Sequence, residues 1–181
     1  MSPTPPAASA PPGAASGASR RRLSAEDVVD AAVGILQDFG MGDLSMRRVA
    51  AVLGVQASAL YWHVPDKQTL LARVADRIVA DVERAVAARG VADLPGRVGE
   101  AETAILRHRD GAEVLQTALA LGLGGLGLHR LLVEAADTPE DGERALALLL
   151  GTAALHQQRV QAQELGVTLG PDVQGHRTSP L

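Results

Sequence analysis

Apolar residues recur every three or four positions through most of the chain, and cap residues, glycines and prolines cut the runs into helices. Val28, Ala32, Ile35, Leu36 and Phe39 form one stripe. Ser24 followed by Asp27 makes a capping-box-like start to it, and Gly40 and Gly42 stop it. Ser45 is placed to cap a second helix carrying Val49, Ala50 and Leu53 on one face, which the chain leaves at Gly54. A third helix, over about residues 56–62, turns Leu60 inward and leaves Gln56, Ser58, Tyr61 and His63 pointing elsewhere, with Val55 plugging the angle between the two. Pro65 bars that helix from continuing, and Asp66 can cap a fourth. There Leu70, Leu71, Val74, Ile78, Val82 and Val86 hold the period as far as Arg89-Gly90. Such a helix is roughly 30 Å long or more at about 1.5 Å per residue.

Beyond Gly90 the rhythm is helical in pieces. Residues 96–109 carry Val98, Ala101, Ile105 and Leu106; His108-Arg109-Asp110-Gly111 is a break; residues 112–121 resume the apolar pattern. A Gly-rich stretch leads into a helix over about residues 125–136, and Thr138-Pro139 starts a last long one over about residues 140–164. No strand pattern and no internal repeat is visible, so the expected fold is all-α. Residues 1–19, rich in Pro, Ala, Ser and Gly, read as a flexible tail, and 166–181 as another. The division expected between them is a helix-turn-helix unit at 20–66 and a helical regulatory and dimerisation unit at 67–165.

Composition narrows this further. The 181 residues are 46% hydrophobic and 2% aromatic, which calls for a core of Ala, Leu and Val packed helix on helix. There is no cysteine, so disulfides, thiolate metal sites and cysteine nucleophiles are excluded, and a cytoplasmic location is expected. No run approaches the ~20 apolar residues of a membrane span, and with no charged stretch followed by an apolar run at its start the sequence is not expected to carry a signal peptide. The net charge of −4 argues against coating nucleic acid through bulk charge. A local basic surface suffices for a specific site, however, and Arg20, Arg21, Arg22, Arg47, Arg48 and Lys67 all lie in the N-terminal half. Arg20 to Arg22 read either as an arm for phosphates or the minor groove or as a solvated linker.

The two short helices within residues 44–67, LSMRRVAAVLGVQASALYWHVPDK, have the shape of a helix-turn-helix, whose second helix fits the DNA major groove. Tyr61 and Trp62 are the only Tyr and Trp of the chain. Adjacent on a helix, they cannot face the same way, so one is expected packed against the long fourth helix and the other, Tyr61, at DNA.

The stretch RLSAEDVVDAAVGILQDFGMGDLSMRRVAAVLGVQASALYWHVPDKQTLLARVADRIV resembles the DNA-binding domain of the tetracycline repressor (TetR) family, and HRDGAEVL with ERALALLLGTAALHQQRVQAQE resembles that family's C-terminal regulatory domain. The resemblance implies a double-stranded DNA operator as partner, a small-molecule effector and a homodimer, with no cofactor and no membrane. It implies that Arg47, Gln56, Ala57 and Ser58 face base edges or nearby sugar-phosphate, and that Tyr61, Trp62, His63 and Lys67 grip the backbone. The chemistry agrees, since Arg bonds guanine bidentately and Tyr, His and Lys donate to phosphate. Where the family's namesake reads bases with a Gln-Pro pair this chain has Ala57-Ser58, which implies a different operator.

Rival readings are weaker. Gly122, Gly124 and Gly127 spell a dinucleotide fingerprint, but a helical pattern stands where that motif needs a strand, so a helix start beside a ligand pocket explains the glycines better. His63, His108, His129, His156 and His176 show no metal-motif spacing, and no nucleophile elbow is present, so neither an enzyme nor a metal site is expected. A helix-turn-helix protein without a ligand response stays open, as does, further off, a helical binding module or enzyme. Family members that capture a magnesium-bound drug use two histidines whose counterparts here are Glu83 and Leu115, and a leucine cannot ligate a metal. A wall of Leu115, Leu119, Leu123, Leu126 and Leu128 near His108 and His129 is expected instead, suited to a largely apolar effector. In the last helix Ala145, Leu146, Leu148, Leu149, Leu150, Ala153 and Leu155 go nearly all round, more apolar surface than one face needs, so it and its neighbour are expected to form a two-fold four-helix interface.

Overall fold

The structure, a computed structural model, describes residues 22–167. The expected tail at 1–19, Arg20, Arg21 and all but the start of the tail at 166–181 lie outside them. The described residues form helices α1 (Ala25–Phe39), α2 (Met46–Leu53), α3 (Ala57–Leu60), α4 (Lys67–Arg89), α5 (Leu94–Leu106), α6 (Gly111–Ala120), α7 (Leu126–Val133) and α8 (Pro139–Glu164), with a 3-10 turn at Met41–Asp43 and no strand among them. No helix among the described residues is long and apolar enough to cross a membrane.

Most helix starts follow from side-chain caps. Ser24 accepts from the Asp27 amide while Asp27 reaches back to the Ser24 amide, a complete capping box; Ser45, Asp66, Asp93 and Thr138 each accept from a first-turn amide. The helices then pack around one continuous apolar cluster that runs from Val28 in α1 through Leu70, Val74, Ile78 and Val82 in α4 to Leu149 and Ala153 in α8. Each fully buried aliphatic side chain stabilises this by about 1.5–3 kcal/mol. Helix α4 is the hub, touching α1, α5, α6 and α7, while α8 closes the bundle over α5, α6 and α7.

Three expectations change. Helix α3 is shorter than 56–62, because after Leu60 the backbone tightens: the His63 and Val64 amides both donate to the Leu60 carbonyl at 2.8 Å. Phe39, expected in the buried stripe, is 48% exposed. The Gly-rich stretch serves close packing: a Cβ at Gly124 would meet the Ala72 carbonyl oxygen of α4 at 2.6 Å, and the Gly125 amide donates to Asp76 at 2.8 Å. The loop thus sits directly on the long helix, and α7 begins only at Leu126 and ends at Val133.

Candidate nucleic-acid interface

The helix-turn-helix is built by its turn. Gly54 takes the left-handed conformation (φ 66°) that a side chain would resist, and the Val55 amide donates back to Ala50 at 3.0 Å, which ends α2 and swings the chain into α3. Val49, Ala50, Leu60 and Val64 are buried beneath, with Val55 and Ala57 packed against them. What remains outward is Gln56, Ser58, Tyr61 and Trp62 from the second helix and its exit, and Arg47 from α2. His63 and Lys67 are half-buried beside them, Lys67 as the first residue of α4.

The structure therefore brings most of the expected contact residues to one exposed tip, with two differences. Ala57 is turned partly into the core, which leaves Gln56 and Ser58 as the more accessible side chains. Trp62 is not packed against α4; it is 90% exposed, while Tyr61 is 51% exposed. The tight turn after Leu60 puts both aromatic residues beyond the helix proper, so the opposite-face argument for a regular helix does not apply.

The two neighbouring arginines differ. Arg47 is exposed and makes no ion pair among the described residues. Arg48 is held: its guanidinium lies 3.8 Å over the Phe39 ring centroid and pairs with Asp43. This explains the exposed Phe39, whose ring is half-covered by a cation. Asp66, at the head of α4, accepts from the Thr69 amide at 2.7 Å, and that backbone bond, with help from the Thr69 hydroxyl, holds its carboxyl below the usual range.

A family profile described as bacterial regulatory proteins, tetR family, matches residues 28–74, spanning α1 to the first turns of α4. BioQ of Mycobacterium smegmatis is 32% identical with a TM-score of 0.73 over 81% of this chain and 87% of that one, and a structure of BioQ with its natural double-stranded DNA operator gives 31% and 0.65 over 81% and 94%. A possible TetR family transcriptional regulator from Streptomyces coelicolor A3(2) is 31% identical with a TM-score of 0.58, covering 82% of this chain and 76% of that one. The chain belongs to the TetR family. Among curated TetR relatives, the class D tetracycline repressor of Escherichia coli is 37% identical over 97 residues, 51% of this chain and 44% of the repressor, so the chain spans about half the length of that relative.

The residues named for a TetR-type effector wall differ widely in exposure. Leu115 is fully buried in the core and Leu119 is half-buried, whereas Leu123 and Leu126 are more than half exposed. His129 lies 3.8 Å from Glu143 at the surface, and Glu83 faces Arg130 at 3.5 Å. His108 is buried at the junction between α1, α4 and the turn after α5. Its Nε2 lies 3.0 Å from Asp81, and its Nδ1 lies 3.3 Å from Gln37 Nε2. Gln37 Oε1 accepts from the Arg109 amide and its Nε2 donates to the Arg107 carbonyl, which fixes the amide orientation. His108 Nδ1 is accordingly the acceptor and Nε2–H the donor. The apolar rhythm carries no signal for these polar bridges.

Proposed function

We propose that this chain is a sequence-specific DNA-binding transcriptional regulator, a repressor that acts as a homodimer and leaves its operator when a small molecule binds. The observation that carries the reading is the exposed tip formed by Arg47, Gln56, Ser58, Tyr61 and Trp62 above a buried helix-turn-helix core, flanked by Lys67. Such a tip fits a major groove, with Arg47 and Gln56 reaching base edges and Tyr61, His63 and Lys67 the phosphates. The operator complex of BioQ, similar to this chain over 81% of its length, supports the assignment. We divide the chain into a DNA-binding unit at 20–66 and a regulatory and dimerisation unit at 67–165, in the cytoplasm.

Dimerisation is supported by α8. Leu149, Leu150 and Ala153 are buried within the chain, yet Leu148 and Leu155 are 63% and 52% exposed on the same helix. A second copy laid against that face would cover them and set two recognition tips about one DNA turn apart.

The test begins with capture and sequencing of genomic DNA fragments by the purified protein, which yields an operator. On that operator Arg47→Ala should cost about 1–3 kcal/mol and relax specificity. Tyr61→Ala and Lys67→Ala should instead weaken binding to every sequence and lower the salt slope by about one per lost phosphate contact. Unchanged operator binding by a Tyr61→Ala, His63→Ala double variant would overturn the reading.

A further inference from the structure

Where α1, the turn at residues 107–110 and the C-terminal half of α8 meet, three segments distant in sequence are tied by side-chain amides and one carboxylate. Asp110 accepts from the Met41 amide at 2.7 Å through one oxygen and from Gln161 of α8 through the other. Gln157 of α8 donates to the His108 carbonyl at 2.6 Å and accepts from the Ala112 amide at 3.2 Å. Gln37 of α1 accepts from the Arg109 amide at 3.2 Å. Between these bridges lies a cavity of about 380 Å³, inside the range of roughly 300–1,000 Å³ that small-molecule sites occupy.

Its walls are chemically uneven. The amides of Gln37 and Gln157 and both oxygens of Asp110 already have partners. Arg107 also lines the cavity, and its guanidinium makes no hydrogen bond or ion pair among the described residues. Arg109 spends one nitrogen on the Asp38 carbonyl at 3.4 Å. Leu106 and the 40% exposed Val160 supply an apolar side, and Glu164 stands on the wall as the one carboxylate besides Asp110. Two guanidinium groups with donors to spare suit a carboxylate, which they bond as a fork.

We propose that this cavity is a binding site for a small monocarboxylate with a short apolar body, its carboxylate on Arg107 and Arg109 and its chain on Leu106 and Val160. Such an occupant competes with the Asp38 carbonyl for Arg109 and so bears on the contact between the end of α1 and the turn at residues 107–110. The consequence for operator affinity rests on the DNA-binding reading above; the binding itself does not.

Calorimetric titration of the intact protein with hexanoate, with neutral hexanamide as control, tests the site without DNA. The expected result is binding of hexanoate and none of hexanamide, weakened about tenfold or more in Arg107→Ala, since a charge-assisted hydrogen bond is lost, and likewise in Val160→Glu, which places a like charge on the apolar wall. Both positions lie at the surface, and thermal melting checks that each variant is folded. Hexanoate that fails to bind, that binds both variants as well as the parent, or that is matched by hexanamide overturns the site. Operator affinity measured by fluorescence anisotropy at saturating hexanoate should differ from that without it; an unchanged value overturns the coupling. A protein that binds hexanoate but no DNA fails the regulator reading and leaves the site standing.

Discussion

Arg47 and Arg48 show how much a single position decides. Sequence places both in the first helix of the motif, and nothing in their order says which one is free. The structure separates them through Phe39 and Asp43, one turn and one loop away, which capture Arg48 and leave Arg47 outward. Phe39 looked like core because it falls on the helical period of α1, but the last residue of a helix has no neighbour above it to complete the burial. Arg48→Ala should therefore lower stability by about 0.5–1 kcal/mol, the size of an exposed cation–π contact, and leave the salt slope of DNA binding unchanged. Chemical denaturation and DNA titration at several salt concentrations check the two halves of that statement. A salt slope that falls in Arg48→Ala would show that this arginine also reaches a phosphate.

At the scale of elements, the helix starts were legible because caps are local: Ser24, Ser45 and Asp66 each bond an amide three residues on. The end of α3 was not, since it depends on the Leu60 carbonyl taking two amides in a tight turn. Asp66 gives a pH signature. Its carboxyl is held below the ordinary value of 3.8 in the folded chain, chiefly by the Thr69 amide, so the charged form favours folding. That contribution is full above the unfolded value near about 4 and is lost as pH falls through the lower folded value. Asp66→Ala should accordingly unfold at lower denaturant concentration than the parent at neutral pH, with the gap narrowing below about pH 4. A gap that stays constant with pH would mean that the carboxylate charge contributes nothing to the cap.

At the scale of the molecule, the all-helical architecture and the apolar excess of α8 could be read from periodicity, because both are averages over many residues. The junction could not. Gln37, His108, Asp110, Gln157 and Gln161 meet across 45 to 72 positions of sequence, and glutamine bridges leave no rhythm. The effector wall could not be read for a related reason: Leu115 satisfies the same helical period whether it faces a cavity or, as here, the core. The exposures along α8 sharpen the assembly test. Leu148→Glu with Leu155→Glu should convert a dimer into a folded monomer in sedimentation at micromolar protein. Leu149→Ala, at a site 2% exposed, should instead cost about 2–5 kcal/mol of stability. Sedimentation that finds the parent monomeric, or the double variant still dimeric, would place the contact elsewhere.

The bare indole at the tip of the motif makes the protein its own reporter. Trp62 is the only tryptophan of the chain, and its ring stands almost wholly in water at the surface assigned to DNA. Its emission should therefore be that of a hydrated indole, with no second tryptophan in the bundle to add to it. A duplex that covers the tip strips water from this one ring. Operator occupancy can then be followed by intrinsic fluorescence, in the unlabelled native chain and in real time.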